Sequence, residues 1–293
     1  MEFTALTSEQ KHQFDSEGYL IVRNALSPDT VGRLLEAGDR LCASETTLNR
    51  SQSNGGQYDG FRNCISMDSA FLEILQNPAT VPLALQLLGP RLQLMTSHLI
   101  YKKPNQPGTP ATYRNPGWHR DIAYTPDDLG HDNLPRMELK IAYYLTDLDE
   151  PNSGVTLFAP GSNWLKEPIS IPRGEVDPKG AVEPLVRAGD AVFFENRTYH
   201  AGAVNFTDRT SKMVMFGYGY SWLKPMDYVV QDDALLEGLD DIGKQLLGGL
   251  KDPEGRFIPG GVMKPLMDWA KKHGVDYRPF AYQEYQRREL ELV

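Results

Sequence analysis

The first part of the chain alternates apolar and polar positions mainly with a helical period. Val31, Leu34 and Leu41 recur at roughly helical spacing behind the helix-start residues Ser27-Pro28-Asp29. A polar, glycine-containing stretch further on is typical of a mobile loop. The elements predicted here are helices over 7–17, 27–43 and 69–88, a short strand over 18–22, and a loop over 46–60 that could cover a site.

From Leu92 onward the pattern changes to short apolar segments separated by Pro, Gly, Asn and Asp. Because no helical pattern lies between these segments, they favour a double-stranded β-helix, a cupin-like jelly roll, over a parallel βαβ fold. The fold class is therefore mostly β with flanking helices. The predicted strands are 92–103, 113–124, 137–147, 154–159, 182–187, 190–195, 199–204 and 211–221, followed by peripheral helices over 232–249 and 263–273.

The chain shows no internal repeat and no linker, so one domain over residues 1–293 is the simplest organisation. Within it we expect a mainly helical flank over 1–90, a jelly-roll core over 91–221 and a C-terminal extension over 222–293.

Charge and composition exclude some classes of partner. The formal charge is −9, and no basic cluster exceeds a pair such as Lys102-Lys103, which argues against nucleic acid. No run of about 18 apolar residues could span a bilayer, and the start of the sequence lacks the features of a secretion signal. We therefore expect a cytoplasmic protein without a membrane partner. Cys42 and Cys64 lack metal-ligand spacing and are expected to be reduced thiols.

Two histidines and an aspartate carry the candidate metal chemistry. On a strand, His119 and Asp121 would point to one side and Arg120 to the other. His200, from a distant strand, would complete a set of two imidazoles and one carboxylate. Such a set leaves three coordination positions open and suits iron(II) that binds a cosubstrate and O2. Taken alone, the His119-x-Asp121 pair is better explained by chance pairing or a surface salt bridge, and the spacing to His200 and Arg209 is what favours the metal site.

Arg209 follows His200 by nine residues, and Ser211 follows it by two more. From the next strand, a guanidinium could clamp a carboxylate bidentately, and the distal carboxylate of 2-oxoglutarate is such a group. The alternative is an exposed turn residue, since Asp208-Arg209 follows a predicted turn.

From about residue 14 to residue 221 the sequence resembles the phytanoyl-CoA dioxygenase-like family of iron(II)/2-oxoglutarate oxygenases. The resemblance implies His119, Asp121 and His200 as iron ligands, with Arg209 and Ser211 anchoring 2-oxoglutarate. The motifs that carry it, in order, are Phe14-Asp15-Ser16-Glu17-Gly18-Tyr19, Tyr101-Lys102-Lys103-Pro104, His119-x-Asp121, Asn152-Ser153-Gly154 leading to Pro160-Gly161-Ser162, and Gly189-Asp190-Ala191-Val192-Phe193-Phe194 before His200.

The same resemblance suggests weaker roles. Tyr143, Thr156 and Leu99 would lie beside 2-oxoglutarate, although core packing is the commoner role of a strand residue. Arg120 replaces the Gln that is frequent between the metal ligands, and Asn163 replaces a frequent His, which leaves the substrate class open.

Candidate substrate contacts are Tyr58, Trp118 and His98. Tyr58 and Trp118 adjoin loops that could face the metal, and His98 lies on a strand near the expected cavity. Ordinary packing is the alternative for the two aromatic residues, and a hydrogen-bonded core histidine is the alternative for His98.

The family implies oxidation of an unactivated C–H bond while O2 converts 2-oxoglutarate to succinate and CO2. Hydroxylation is the default outcome, and desaturation, rearrangement or endoperoxidation are alternatives. The expected substrate is a small natural-product or secondary-metabolite intermediate, and the protein could form a homo-oligomer. Rival hypotheses are a jelly-roll binding protein and a non-redox, cupin-like metal enzyme. Halogenation is disfavoured because Asp121 occupies the position that a halide would need.

Overall fold

The computed structural model describes residues 4–53, 56–257 and 262–275, and antiparallel strands form its centre. Seven strands make one sheet in the order β1-β7-β5-β9-β4-β3-β2, and β6 and β8 make a second, two-stranded sheet. This is the mostly β architecture that the sequence predicts. The strands are β1 Tyr19–Val22, β2 Arg50–Ser53, β3 Tyr58–Arg62, β4 Leu92–Lys102, β5 Glu138–Tyr144, β6 Thr156–Phe158, β7 Ala191–Glu195, β8 His200–Gly202 and β9 Ser211–Tyr220.

Helices flank the sheets, and local capping residues set where the first two begin. Thr7 and Gln10 form a capping box at the start of α1, and the Ser27 side chain accepts a hydrogen bond from the Thr30 backbone N–H at the start of α2. Both helices match the predicted ranges. The helices are α1 Ser8–Glu17, α2 Pro28–Ala43, α3 Val81–Leu88, α4 Thr125–Leu129, α5 Asp233–Glu237, α6 Asp241–Leu246 and α7 Pro265–Lys272.

The large sheet buries apolar side chains on both faces. One face packs against the helices through residues such as Leu99 and Tyr143. The other face, which includes Ile100 and Tyr144, packs towards the small sheet and its Phe158. Because successive strand residues point to opposite faces, adjacent residues of β4 and β5 belong to different cores. Only the second face looks towards the site described below.

Two predicted strands are wrong. Residues 113–124 are irregular, and His119 makes only an isolated bridge to His200. The ring nitrogen of Pro116 has no N–H to donate to a ladder, which disfavours a continuous strand there. Residues 182–187 are likewise reduced to single bridges at Val182 and Val186.

The remaining differences concern loops and helix continuity. The predicted loop over 46–60 contains β2 and most of β3, which pair with each other while β3 pairs with β4. The predicted helix over 69–88 divides into a 3-10 helix, Ser69–Ile74, and α3, with Pro78 between them. The predicted helix over 232–249 divides into α5 and α6, because Asp240 caps a new start.

Candidate metal centre and its cavity

His119, Asp121 and His200 converge on one point. Their potential ligand atoms all lie within 4.8 Å of one another, and His200 Nε2 is 3.9 Å from Asp121 Oδ2. Two backbone hydrogen bonds of 3.0 Å join His119 and His200, one in each direction. Further backbone hydrogen bonds link Asn115 and Pro116 to Gly202, so an irregular segment lies along the edge of β8 and places two of the three side chains there.

Hydrogen bonds from the protein fix both imidazole rings. His119 Nδ1 lies 2.7 Å from the carbonyl oxygen of Gly117, and His200 Nδ1 lies 3.0 Å from that of Thr198. A carbonyl oxygen only accepts, so each Nδ1 carries the proton and donates it. Each Nε2 therefore keeps a free lone pair, which is what a metal ligand requires.

The charge states of the cluster also suit a metal. Burial by itself would raise the pKa of Asp121, but the positive charge of Lys140 opposes it, and the pKa lies below its usual value. Burial lowers the pKa of His200 to about 4. The cluster thus offers an ionised carboxylate and a neutral imidazole, the protonation states that bind metals.

The Oδ2 atom of Asp121 is buried and has no hydrogen-bond partner among the described residues. A buried, unpaired carboxylate oxygen is costly unless a cation occupies the adjoining space. Two imidazoles and one carboxylate with open positions form the set that non-haem iron(II) oxygenases use. The residues present therefore fit an iron(II) ion.

A cavity of about 390 Å³ opens on the cluster. Of the residues predicted to contact substrate or cosubstrate, Tyr58, His98 and Thr156 line it. The Tyr58 hydroxyl lies 2.8 Å from His98 Nε2, and the Tyr144 hydroxyl donates to Thr156 Oγ1 at 3.3 Å. The Phe194 ring packs 4.7 Å from the His200 ring and closes one side of the site.

Four residues that were predicted to contact substrate or cosubstrate lie outside the cavity wall. Tyr143 and Leu99 face the helical layer, where the Tyr143 hydroxyl hydrogen-bonds Thr80 Oγ1 at 2.7 Å. The indole N–H of Trp118 donates to Asp177 at 3.0 Å instead of pointing at the metal cluster. Ser211 is buried on β9 opposite Lys102 but is not part of the cavity wall.

Arg209 lies outside the cavity wall as well. Its side chain is 48% exposed, and its guanidinium is 3.2 Å from Glu150 and 3.7 Å from Asp149. The turn that precedes β9 thus directs Arg209 to surface carboxylates rather than to the metal cluster.

Sequence reasoning missed three basic residues in the cavity wall: Arg62, Lys102 and Lys140. Lys102 shares the β4 face of His98, four residues away, so strand alternation from His98 could have identified it. No comparable signal marks Arg62, because the predicted loop over 46–60 covers the start of β3 and no strand is predicted at residue 62.

Arg120, between the two metal ligands, points away from the cluster as alternation predicts. Its buried guanidinium donates to the carbonyl oxygens of Arg197, Ser162 and Leu165 at 2.6, 2.6 and 3.0 Å, and it lies over the Tyr199 ring. Arg120 therefore ties the segment that carries His119 to the loop before β8.

The fold and the three-ligand cluster define a non-haem metal-dependent oxygenase of the double-stranded β-helix class. A sequence profile described as phytanoyl-CoA dioxygenase (PhyH) matches residues 14–214, and the chain belongs to this family of iron(II)/2-oxoglutarate dioxygenases. The expected cofactors, iron(II) and 2-oxoglutarate, agree with this membership and with the cluster.

Individual relatives are distant. Ectoine dioxygenase from Nocardia farcinica (strain IFM 10152) is 25% identical over 229 residues, which are 68% of this chain and 73% of that protein. The α-ketoglutarate-dependent epimerase SnoN from nogalamycin biosynthesis superposes with a TM-score of 0.58 at 23% identity, over 73% of this chain and 80% of SnoN. HygX from Streptomyces hygroscopicus, with nickel, 2-oxoglutarate and hygromycin B bound, superposes with a TM-score of 0.59 at 17% identity. The superposition covers 75% of this chain and 90% of HygX. These structures share the fold.

Among the described residues, no helix combines the length and apolar character needed to cross a bilayer.

Proposed function

We propose that this protein oxidises an unactivated C–H bond of a small organic molecule, coupled to conversion of 2-oxoglutarate and O2 to succinate and CO2. The observation that carries the proposal is the convergence of His119, Asp121 and His200 on a cavity. Hydroxylation is the default outcome; desaturation, rearrangement and endoperoxidation are alternatives. SnoN belongs to nogalamycin biosynthesis and HygX binds hygromycin B, which favours a natural-product or secondary-metabolite intermediate as the substrate. The cytoplasmic location stays a prediction from the sequence.

The side chains have distinct tasks in this reaction. His119, Asp121 and His200 hold iron(II), which supplies the oxidising chemistry when bound. The carbonyl oxygens of Gly117 and Thr198 orient the two imidazoles. Phe194 packs against His200 and keeps water from that side of the site.

Succinate formation tests the proposal. Purified protein supplied with iron(II), 2-oxoglutarate and O2 should form succinate slowly without substrate and faster with a matching compound from a small-molecule library. A product heavier by one oxygen indicates hydroxylation, and one lighter by two hydrogens indicates desaturation. His119→Ala serves as the inactive control. If iron-loaded wild-type protein forms no succinate with or without library compounds, the non-redox metal enzyme becomes the better hypothesis.

Lys102 is the residue that we propose anchors the distal carboxylate of 2-oxoglutarate. Its side chain is buried in the cavity wall, and its Nζ donates to the carbonyl oxygen of Ala203 at 3.1 Å. Among the described residues it has no carboxylate partner. A buried ammonium without a counter-charge is unfavourable, so a bound carboxylate would relieve a cost already present in the fold. Thr156, which lines the same cavity, can add a hydroxyl donor.

A comparison of variants separates Lys102 from Arg209. We expect Lys102→Met, which keeps the side-chain length, to raise the apparent KM for 2-oxoglutarate roughly 10- to 100-fold, since one charge-assisted hydrogen bond is lost. Lys103→Met, at the neighbouring exposed position, is the matched control. If Arg209→Ala raises the apparent KM for 2-oxoglutarate and Lys102→Met does not, Arg209 and not Lys102 is the anchor.

A further inference from the structure

Arg62 is a cation in the cavity wall whose donors are largely unused. It lies at the end of β3, paired in register with His98, and its side chain is 48% exposed. The only hydrogen bond from its guanidinium to a described residue runs from Nη1 to Thr96 Oγ1 at 3.2 Å. The nearest carboxylate oxygen, Asp227 Oδ1, is 3.7 Å away, beyond hydrogen-bonding distance.

Asp227 does not depend on Arg62 for its own partners. Its Oδ2 accepts from Thr96 Oγ1 at 2.6 Å and from the backbone N–H groups of Ser97 and Asn63 at 2.8 and 3.1 Å. Its Oδ1 faces Arg62 in an ion pair at 3.7 Å that includes no direct hydrogen bond. Arg62 therefore keeps a planar set of N–H donors for a ligand.

The other charges of the wall already have assigned partners. Lys140 Nζ donates to Glu138, which is buried behind the wall, at 2.7 Å. Asp121 belongs to the metal cluster, and Lys102 is the proposed anchor of 2-oxoglutarate. No further acidic residue belongs to the described part of the wall, although the chain as a whole carries a charge of −9. Arg62 is thus the cation of the wall whose ion pair, with Asp227, leaves most of its N–H donors free for a substrate.

Neutral and apolar groups surround Arg62 at this end of the cavity. Tyr58 and His98 hydrogen-bond each other, and burial lowers the pKa of His98 well below its ordinary value, so this pair is uncharged. Met215 and Met226 supply flexible apolar surface in the same wall, and Met215 pairs in register with His98, the strand neighbour of Arg62. A ligand that fits has an anionic end and an apolar body.

We propose that the substrate is a small organic acid whose carboxylate binds Arg62 bidentately, while its apolar part lies along Met215 and Met226 towards the metal. A planar carboxylate matches the guanidinium fork in a way that a neutral amide does not. This inference rests on the proposed function, because it names the substrate class of the same cavity.

Matched pairs of ligands test the inference. Protein loaded anaerobically with iron(II) and 2-oxoglutarate is screened by thermal shift against small aliphatic and aromatic carboxylic acids and their primary amides. We expect stabilisation by a subset of the acids and not by the corresponding amides. Arg62→Met should weaken binding of the best acid roughly tenfold or more, and Arg62→Lys should weaken it less. Arg33→Met, a 50% exposed arginine on α2, is the control and should bind like wild type.

Three results would overturn the inference: no acid binds, amides bind as well as acids, or Arg62→Met binds the acid as wild type does. Failure of the proposed function is detected separately. Wild-type protein without any library compound would then lack both the visible charge-transfer band of an iron(II)–2-oxoglutarate complex and slow succinate formation. If the proposed function holds, both signals should be present in wild type and in the control Arg33→Met, whose side chain lies on α2 outside the cavity wall.

Discussion

Lys102 is a cation held inside the protein without a carboxylate partner among the described residues. Burial, helped by the nearby positive charge of Arg114, lowers its pKa to about 8. A lowered lysine pKa means that the free protein is destabilised by the ammonium at neutral pH and regains stability as pH rises above about 8. A bound carboxylate would reverse this shift, so ligand binding and protonation of Lys102 are linked.

This linkage predicts a pH dependence of cosubstrate binding. The ammonium form binds 2-oxoglutarate, so affinity should be nearly constant well below pH 8 and should fall as pH rises through about 8, because the proton must then be taken up on binding. The measurement is the apparent affinity for 2-oxoglutarate between about pH 6.5 and about pH 9.5. Lys102→Met should bind weakly with little pH dependence above neutrality; the same decline in that variant would contradict the assignment.

One carboxylate adds side-chain support to the irregular segment before His119. Asp177 accepts two hydrogen bonds from the Arg114 guanidinium, at 2.9 and 2.7 Å, and a third from the Trp118 indole N–H at 3.0 Å. These contacts add to the backbone hydrogen bonds that join the segment to β8. Trp118, predicted as a substrate contact, takes part in this support instead.

Replacement of that carboxylate should loosen the metal site without removing a ligand. We expect Asp177→Ala to weaken metal binding roughly tenfold, since residues that support ligands typically contribute that much or more. Titration with Ni(II), followed by the quenching of tryptophan fluorescence or by calorimetry, measures the effect. Glu73→Ala, which removes the partner of Arg33 on the surface, is the control. Equal affinities in the two variants would mean that the segment is held by its backbone alone.

Strand β5 carries a buried ion pair that the apolar pattern of its neighbours does not reveal. Glu138 and Lys140 point to the same face, and both are almost fully buried, at 1% and 3% exposure. Gly217 on β9 leaves the space they occupy, because a Cβ there would lie 2.5 Å from Glu138 Oε1 and 2.9 Å from Lys140 Nζ. The glycine therefore has a packing role in the sheet.

Removing one member of this ion pair should lower the free energy of unfolding more than replacing both members with apolar residues. Lys140→Met should lower the free energy of unfolding by roughly 3 to 5 kcal/mol, because it leaves the Glu138 carboxylate buried and unpaired. The double variant Glu138→Leu and Lys140→Met should recover much of that loss. Urea denaturation of both proteins measures the difference. If Lys140→Met is as stable as wild type, the pair does not contribute as its burial implies.

The metal cluster joins parts of the fold that are far apart in the chain. His119 and Asp121 lie in the irregular segment between β4 and β5, whereas His200 begins β8, so a bound ion would cross-link that segment to the small sheet. Binding to the folded protein alone raises its stability by RT ln(1 + [L]/Kd), about 2.7 kcal/mol at a hundredfold excess over Kd.

A thermal measurement tests this cross-link. Ni(II) together with 2-oxoglutarate should raise the unfolding temperature of wild-type protein by several degrees. Asp121→Ala should remove that increase and iron-dependent succinate formation, while the metal-free variant melts near the wild-type temperature, since Asp121 Oδ2 has no partner to lose. An equal increase in the variant would place the metal elsewhere.

The sequence by itself determined the fold class and the residue types of the metal cluster. The types and spacing of His119, Asp121 and His200 identified a metal cluster, and the strand-rich stretch after Leu92 identified the fold class. Helices α1 and α2 were predictable because their caps are local. These features depend on side-chain chemistry and on nearest neighbours along the chain, which the order of residues specifies directly.

Tertiary structure decided which face of each strand meets the metal. Alternation divides the side chains of β4 and β5 between the two faces of the sheet but does not say which face meets the site. Leu99 and Tyr143 were predicted to lie at the site. In the structure, Lys102 and Lys140, on the opposite face, line the cavity instead. The direction of Arg209 depends on a turn, and the strand that carries Arg62 exists because β4 pairs with it. Such outcomes rest on packing and pairing between distant segments, which local patterns do not encode.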